Sequence, residues 1–213
     1  MSHYTEEEQI AQFKDWWSRN GKPLLVGGVL AIAIVFGWQT WQKQQANRGE
    51  LLSATYQQLL DAAFSPDGTN AGEMLKLLEE LESISPEHAY AQYARLLVAR
   101  VAVLENRLDD AAAMLQPVVD KPANAVLGEL SHQRLARVLA ASGKPDQALS
   151  LLDGKGLPAY SSARDELRGD VLVQLGRLDE ARQSYRSARE GLDDSSAAGS
   201  LMMKLDDLSA KDA

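Results

Sequence analysis

Three stretches of the chain carry nearly the same reading: "NRLDDAAAML" (residues 106–115), "GKPDQALSLL" (143–152) and "GRLDEARQSY" (176–185). In each, a turn residue is followed two positions later by Leu or Pro, then Asp, then two positions on by Ala, then by a large residue four further along. The aligned alanines, Ala111, Ala148 and Ala181, set periods of 37 and 33 residues, a range in which self-similarity signals stacked units, not one closed core. Twelve residues before them stand Ala99, Ala136 and Gly169, so each unit offers a short side chain from each of two helices, where two axes can approach closely. Leu115, Leu152 and Tyr185 then fill the space toward the next unit. Asp109, Asp146 and Asp179 are placed to cap the second helices, and Leu108 and Leu178 to plug the turns.

Helical spacing dominates outward from these motifs, no alternating strand pattern persists, and Gly or Pro punctuates the chain at helix-pair intervals. The expected fold is all-α. The three clearest units, roughly 92–122, 129–155 and 162–191, resemble the tetratricopeptide repeat, a helix-turn-helix of about 34 residues. A more degenerate pair precedes them, 50–64 and 71–83, with Met74 where an alanine is expected. Arg168 stands where an apolar residue is usual. The segment "AAGSLMMKLDDL" from Ala197 reads as a helix covering the open end. The solenoid therefore comprises three to four helix pairs with a C-terminal capping helix.

The amino end is different in kind. Between Lys22 and Lys43 lies "PLLVGGVLAIAIVFGWQTWQ", 20 residues without a charge, which as a helix reaches about 30 Å and matches the hydrocarbon thickness of a bilayer. Trp38 and Trp41 suit one membrane interface, and Trp16 and Trp17 lie ahead of the other. The 22 residues before the run include four acidic ones, and no small-x-small site follows Trp41 promptly, so an uncleaved anchor is expected over a signal peptide. The expected domains are a cytoplasmic amphipathic head (1–22), a transmembrane helix (23–42) and a repeat domain (43–213). In the head, "TEEE" from Thr5 fits a capping box, Ile10, Phe13 and Trp17 recur at helical spacing, and Asn20-Gly21 reads as a stop. Lys14, Arg19 and Lys22 favour a cytoplasmic amino end. Within the span, Gly27 with Ala31 and Ala33 with Gly37 form small-xxx-small pairs suited to seating another helix.

Chemistry is excluded more easily than it is found. The chain has no cysteine, which removes disulfides, zinc-thiolate sites and cysteine nucleophiles. His3, His88 and His132 stand alone without a second ligand at helical spacing, so no metal or cofactor is expected. No nucleophile elbow or phosphate loop occurs: "GKGLP" from Gly154 lacks a preceding strand and a Ser or Thr after its lysine. From Gly49 onward 17 Lys or Arg face 26 Asp or Glu, a net of −9, which argues against nucleic acid. A repeat stack instead offers a concave face lined by its first helices. By alignment that face includes Tyr93, Leu96, Arg100, Gln133, Arg137, Glu166 and Asp170, with Arg100 and Arg137 side by side and able to hold a partner's carboxylate beside an apolar side chain.

The head and span, "YTEEEQIAQFKDWWSRNGKPLLVGGVLAIAIVFGWQTWQKQQ", followed by an acidic repeat domain, resemble the YfgM-type ancillary subunit of the bacterial SecYEG translocon. The resemblance lies in Trp17, Asn20, Gly21 and Lys22 running into the anchor, "GW" at Gly37 and "QRLARVL" from Gln133, in this order across almost the whole chain. It implies a single-pass inner-membrane protein with a periplasmic repeat domain. Such a protein sits beside the translocon with a membrane-anchored parvulin-type chaperone and helps exported proteins into the periplasmic chaperone network. It also implies an alternative, restraint of an envelope-stress response regulator through the cytoplasmic head. Neither role is enzymatic.

Overall fold

The computed structural model describes residues 6–65, 70–154, 156–192 and 198–210. Among them every regular element is helical: α1 (Glu6–Ala63), α2 (Ala71–Ile84), α3 (Ala89–Leu104), α4 (Leu108–Asp120), α5 (Ala125–Ala141), α6 (Pro145–Leu152), a 3-10 turn (Pro158–Tyr160), α7 (Ser161–Gln174), α8 (Leu178–Glu190) and α9 (Ala198–Ala210). The chain divides into two compact units, Met1–Leu51 and Leu52–Ala213.

The described residues of the first unit lie within α1. Asn20-Gly21 does not stop the helix: the Asn20 side-chain amide donates to the Trp16 carbonyl at 3.1 Å, and the Trp17 ring covers Gly21. A helix already nucleated on both sides thus absorbs a local breaker. Pro23 sits inside the same helix, and Thr5 of the expected capping box lies outside the described residues. Phe13, Trp16 and Trp17 cluster with ring centroids 6.2 to 6.4 Å apart, and Trp38 meets Trp41 at 5.2 Å. The apolar stretch is long enough to cross a bilayer and none of it is buried. Open space surrounds Gly27 and Gly37, and Ala31 and Ala33 are exposed beside them.

The second unit is the helix-pair stack. Ala99, Ala136, Ala111, Ala148 and Ala181 are buried, as the close approach of paired helices requires. Leu115 packs with Ala99 and Ala111, and Leu152 and Tyr185 pack with Ala136, Ala148 and Ala181. The degenerate first pair is built from the end of α1 and from α2, with Leu59, Met74 and Leu81 buried together. At the far end α9 closes the stack with Leu201 and Leu208.

The recurring motifs turn out to be one backbone device. Asn106, Gly143 and Gly176 all adopt positive φ, 58°, 77° and 71°. In each case the next residue's N–H reaches back to close the preceding helix: Arg107 to Ala102 (2.7 Å), Lys144 to Leu139 (2.9 Å) and Arg177 to Leu172 (2.9 Å). This is a left-handed helix stop with a six-to-one bond. The aspartates are not the caps. Arg107, Lys144 and Arg177 occupy the N-cap positions without a side-chain bond, because the preceding turn leaves them there, and the aspartates fall inside the first turn. There Asp109 accepts from Lys144 at 2.9 Å and Asp179 from Arg182 at 2.7 Å, and their charge favours the positive helix end. Since only Asn among these turns carries a side chain against left-handed φ, Asn106→Gly is expected to leave stability unchanged or raise it slightly. Gly176→Ala is expected to lower it by about 1 kcal/mol, as read by thermal unfolding monitored by circular dichroism.

Candidate partner-binding groove

The last two turns of α3 and the C-terminal half of α5 run side by side with different faces committed to the core. Leu96 and Ala99 from α3 and Val138 from α5 are buried, while the residues one helical step away, Arg100, Val103, Leu104, Arg134 and Arg137, face outward. Together with Leu108 and Leu115 of α4 they line a pocket of about 430 Å³. Its floor is aliphatic and its wall includes Leu104, 72% exposed. Phe64, 61% exposed, carries the Arg100 guanidinium 6.0 Å above its ring, a cation–π distance that orients the arginine. The Arg134 guanidinium lies below the usual arginine range, first through burial and then through the charges of Arg137 and Arg100.

The expected concave-face residues separate into four groups. Leu96, Arg100 and Arg137 do meet, in this pocket. Tyr93 does not join them: it is half-buried near Tyr56, ring centroids 6.5 Å apart, and Tyr56 also stacks on Tyr90 at 5.0 Å. Gln133 is buried, its amide donating to Glu129 at 2.8 Å and to the Tyr160 carbonyl at 3.3 Å, so it serves the interior and presents nothing to a partner. Glu166 and Asp170 are engaged by Lys204 of α9, at 2.8 and 2.6 Å. The capping helix thereby neutralises the acidic end of the face. Burial works to lower the Lys204 ammonium's pKa, but hydrogen bonds to Asp170 and Glu166 outweigh it and raise it. Arg134 was not among the aligned positions, although its place three residues before Arg137 puts both on one helical face.

His132 is half-buried and its Nδ1 lies 2.8 Å from the Gly128 carbonyl, a packing role. Arg168, the apolar-position exception, reaches Asp153 at 3.3 Å.

A tetratricopeptide repeat-like family model matches residues 14–210, the span as well as the repeats. The chain is 30% identical over 191 residues to the ancillary SecYEG translocon subunit of Haemophilus influenzae, covering 89% of this chain and 92% of that one. It is 31% identical over 191 residues to the Aggregatibacter actinomycetemcomitans protein of the same name, with the same coverage. The chain belongs to the ancillary SecYEG translocon subunit family. The Escherichia coli member is 27% identical over 206 residues, covering 96% of this chain and 97% of its own. The family model and these alignments extend over the apolar stretch as well as the repeats, and both the expected fold and the family resemblance hold.

Proposed function

We propose that the chain is a non-catalytic scaffold of the bacterial inner membrane. Its single span anchors it beside the SecYEG translocon, its amino end is cytoplasmic, and its repeat domain is periplasmic. There it works with a membrane-anchored parvulin-type chaperone and passes exported chains into the periplasmic chaperone network by protein–protein contact. The names of its relatives support the translocon, the unburied apolar stretch of α1 supports the anchor, and Lys14, Arg19 and Lys22 ahead of the span support the orientation. The observation that carries the binding role is the open aliphatic pocket between α3 and α5, rimmed by arginines, since repeat stacks bind extended segments on such faces.

A photoreactive side chain at Leu104 in intact membranes is expected to form adducts with an exported chain in transit, the translocon or its chaperone. The same probe at Ser150, exposed on α6, is expected to form none. A reporter active only outside the cytosol, fused after Ala213, supplies the orientation. Equal labelling from both positions, or activity only of a cytosolic reporter, would overturn the reading.

A further inference from the structure

From Gly49 onward the chain carries a net charge of −9 and contains eleven arginines, six of which are paired with carboxylates: Arg95, Arg107, Arg164, Arg168, Arg177 and Arg182. Three of the remaining five, Arg100, Arg134 and Arg137, converge on one aliphatic pocket. Among the described residues none of the three has a carboxylate partner, in a domain with acid to spare. Their proximity is unfavourable in itself: Arg137 and Arg100 both act to depress the Arg134 guanidinium. A cluster of guanidinium groups held together without a carboxylate of its own is complementary to negative charge that arrives from outside.

We propose that this groove takes a polypeptide segment that is acidic and apolar together, an apolar side chain seated on Leu96, Leu108 and Val138 and flanking carboxylates gripped by Arg100, Arg134 and Arg137. The inference rests on the reading that the pocket between α3 and α5 is the working surface, and names what that surface selects. Guanidinium forks match carboxylates in bidentate geometry, while the aliphatic floor and exposed Leu104 need an apolar anchor beside the charge. A polyphosphate strand or anionic bilayer supplies charge without that interleaved anchor and meets the domain's net negative field at longer range. A segment with Glu or Asp spaced among Leu or Phe satisfies both halves of the site.

The test uses the full chain in phosphatidylcholine nanodiscs and short labelled peptides capped at both ends, read by fluorescence anisotropy. One peptide interleaves Leu and Phe with Glu, a second replaces Glu by Gln, and a third replaces Leu and Phe by Ser. The glutamate peptide is expected to bind most tightly and to weaken with salt. Arg100→Gln, Arg134→Gln and Arg137→Gln combined are expected to weaken it by about tenfold and to abolish its advantage over the glutamine peptide. The same triple variant is expected to melt at a higher temperature than the parent, since repulsion is removed, so lost binding is not lost fold. If the two apolar peptides bind equally and Leu104→Ser weakens both, the charge selection is wrong and the groove remains the working surface. If neither binds in a Leu104-dependent way, both readings fail. If phosphatidylglycerol in the nanodisc binds through the three arginines and displaces the glutamate peptide, the site is a lipid site and the proposal is overturned.

Discussion

Replacing Glu129 by Ala is expected to destabilise the repeat domain by about 3–5 kcal/mol, and replacing Arg164 by Met by a similar amount, because each strands a buried charge. The side chains of Arg164 and Glu129 are only 9% and 4% exposed, and they form a two-pronged pair with Nε to Oε1 and Nη2 to Oε2 both at 2.9 Å. The carboxylate also accepts from the Gln133 amide at 2.8 Å and the Leu157 N–H at 3.1 Å. The guanidinium donates onward to the Gly154 carbonyl at 3.0 Å. The pair therefore ties α5 to α7 and holds the connection from α6 against both. A methyl group at Gly156 would lie 2.5 Å from Glu129 Oε2, so the connection is laid directly on the ion pair. Burial pushes the Glu129 carboxyl up, but hydrogen bonds from Arg164, Gln133 and Leu157, with the Arg164 charge, outweigh it and hold the carboxyl below its ordinary 4.5. A depressed carboxylate contributes its full stability above 4.5 and loses it as pH falls through the lower folded value. The parent protein should thus lose stability on acidification below pH 4.5, while Glu129→Gln should start less stable and lose less over the same range. Parallel acid-unfolding curves for the two, followed by circular dichroism, would exclude this role. The double variant Glu129→Leu with Arg164→Met should cost much less than the sum of the single changes.

Nothing in the periodicity announced that pair, and the reason is instructive. The signals that were legible, the repeat periods, the aligned small residues, the turn positions and the apolar span, all express local geometry or a uniform environment, and these leave a trace in spacing. The small residues at 99, 136, 111, 148 and 181 are buried as a close helix approach demands. Buried polar tethers leave no such trace, since each is one side chain satisfying a backbone group tens of residues away. In the preceding repeat Gln92, 37 residues before Glu129, does a related job with a neutral amide: it donates to the Lys121 carbonyl at 2.8 Å and accepts from the Ala123 N–H at 2.7 Å. Two residues of different charge thus occupy equivalent positions and pin equivalent loops. The same limit explains the groove. Alignment places Arg100 and Arg137 together because they repeat and passes over Arg134 because it does not; it puts Gln133 on the surface because the Tyr160 turn is invisible in a pairwise match, and it leaves the Glu166 and Asp170 carboxylates open because Lys204 of α9 is equally invisible. The uninterrupted α1 has a comparable cause: Asn20-Gly21 reads locally as a stop, whereas a helix with strong neighbours on both sides carries it.

Gly169→Ala is expected to destabilise by about 2 kcal/mol, against the usual gain of up to about 1 kcal/mol when a helix glycine becomes alanine. The third repeat differs from the first two in pairing its smallest residue with its largest partner. Where Ala99 accompanies Leu115 and Ala136 accompanies Leu152, Gly169 accompanies Tyr185. A methyl group built on Gly169 would lie 2.3 and 2.4 Å from the Tyr185 ring atoms Cε1 and Cδ1, far inside contact distance. The ring has no room to withdraw: Tyr185 is 3% exposed, its hydroxyl donates to Asp170 at 2.7 Å, and the Lys204 ammonium stands 5.4 Å from its centroid. Burial, followed by the bond to Asp170, pushes the phenol well above its ordinary range, so it is a neutral donor at neutral pH. The decisive comparison is a cycle with Tyr185→Leu, which gives the third repeat the large residue of the other two. Tyr185→Leu alone should cost stability through lost area and the lost bond to Asp170. In that background the added methyl meets a vacated space, and Gly169→Ala should reverse sign and stabilise by several tenths of a kcal/mol to about 1. Thermal unfolding of the four proteins measures the coupling. An equal penalty for Gly169→Ala with Tyr185 or Leu at the partner position would mean that the glycine answers to something other than the ring it touches.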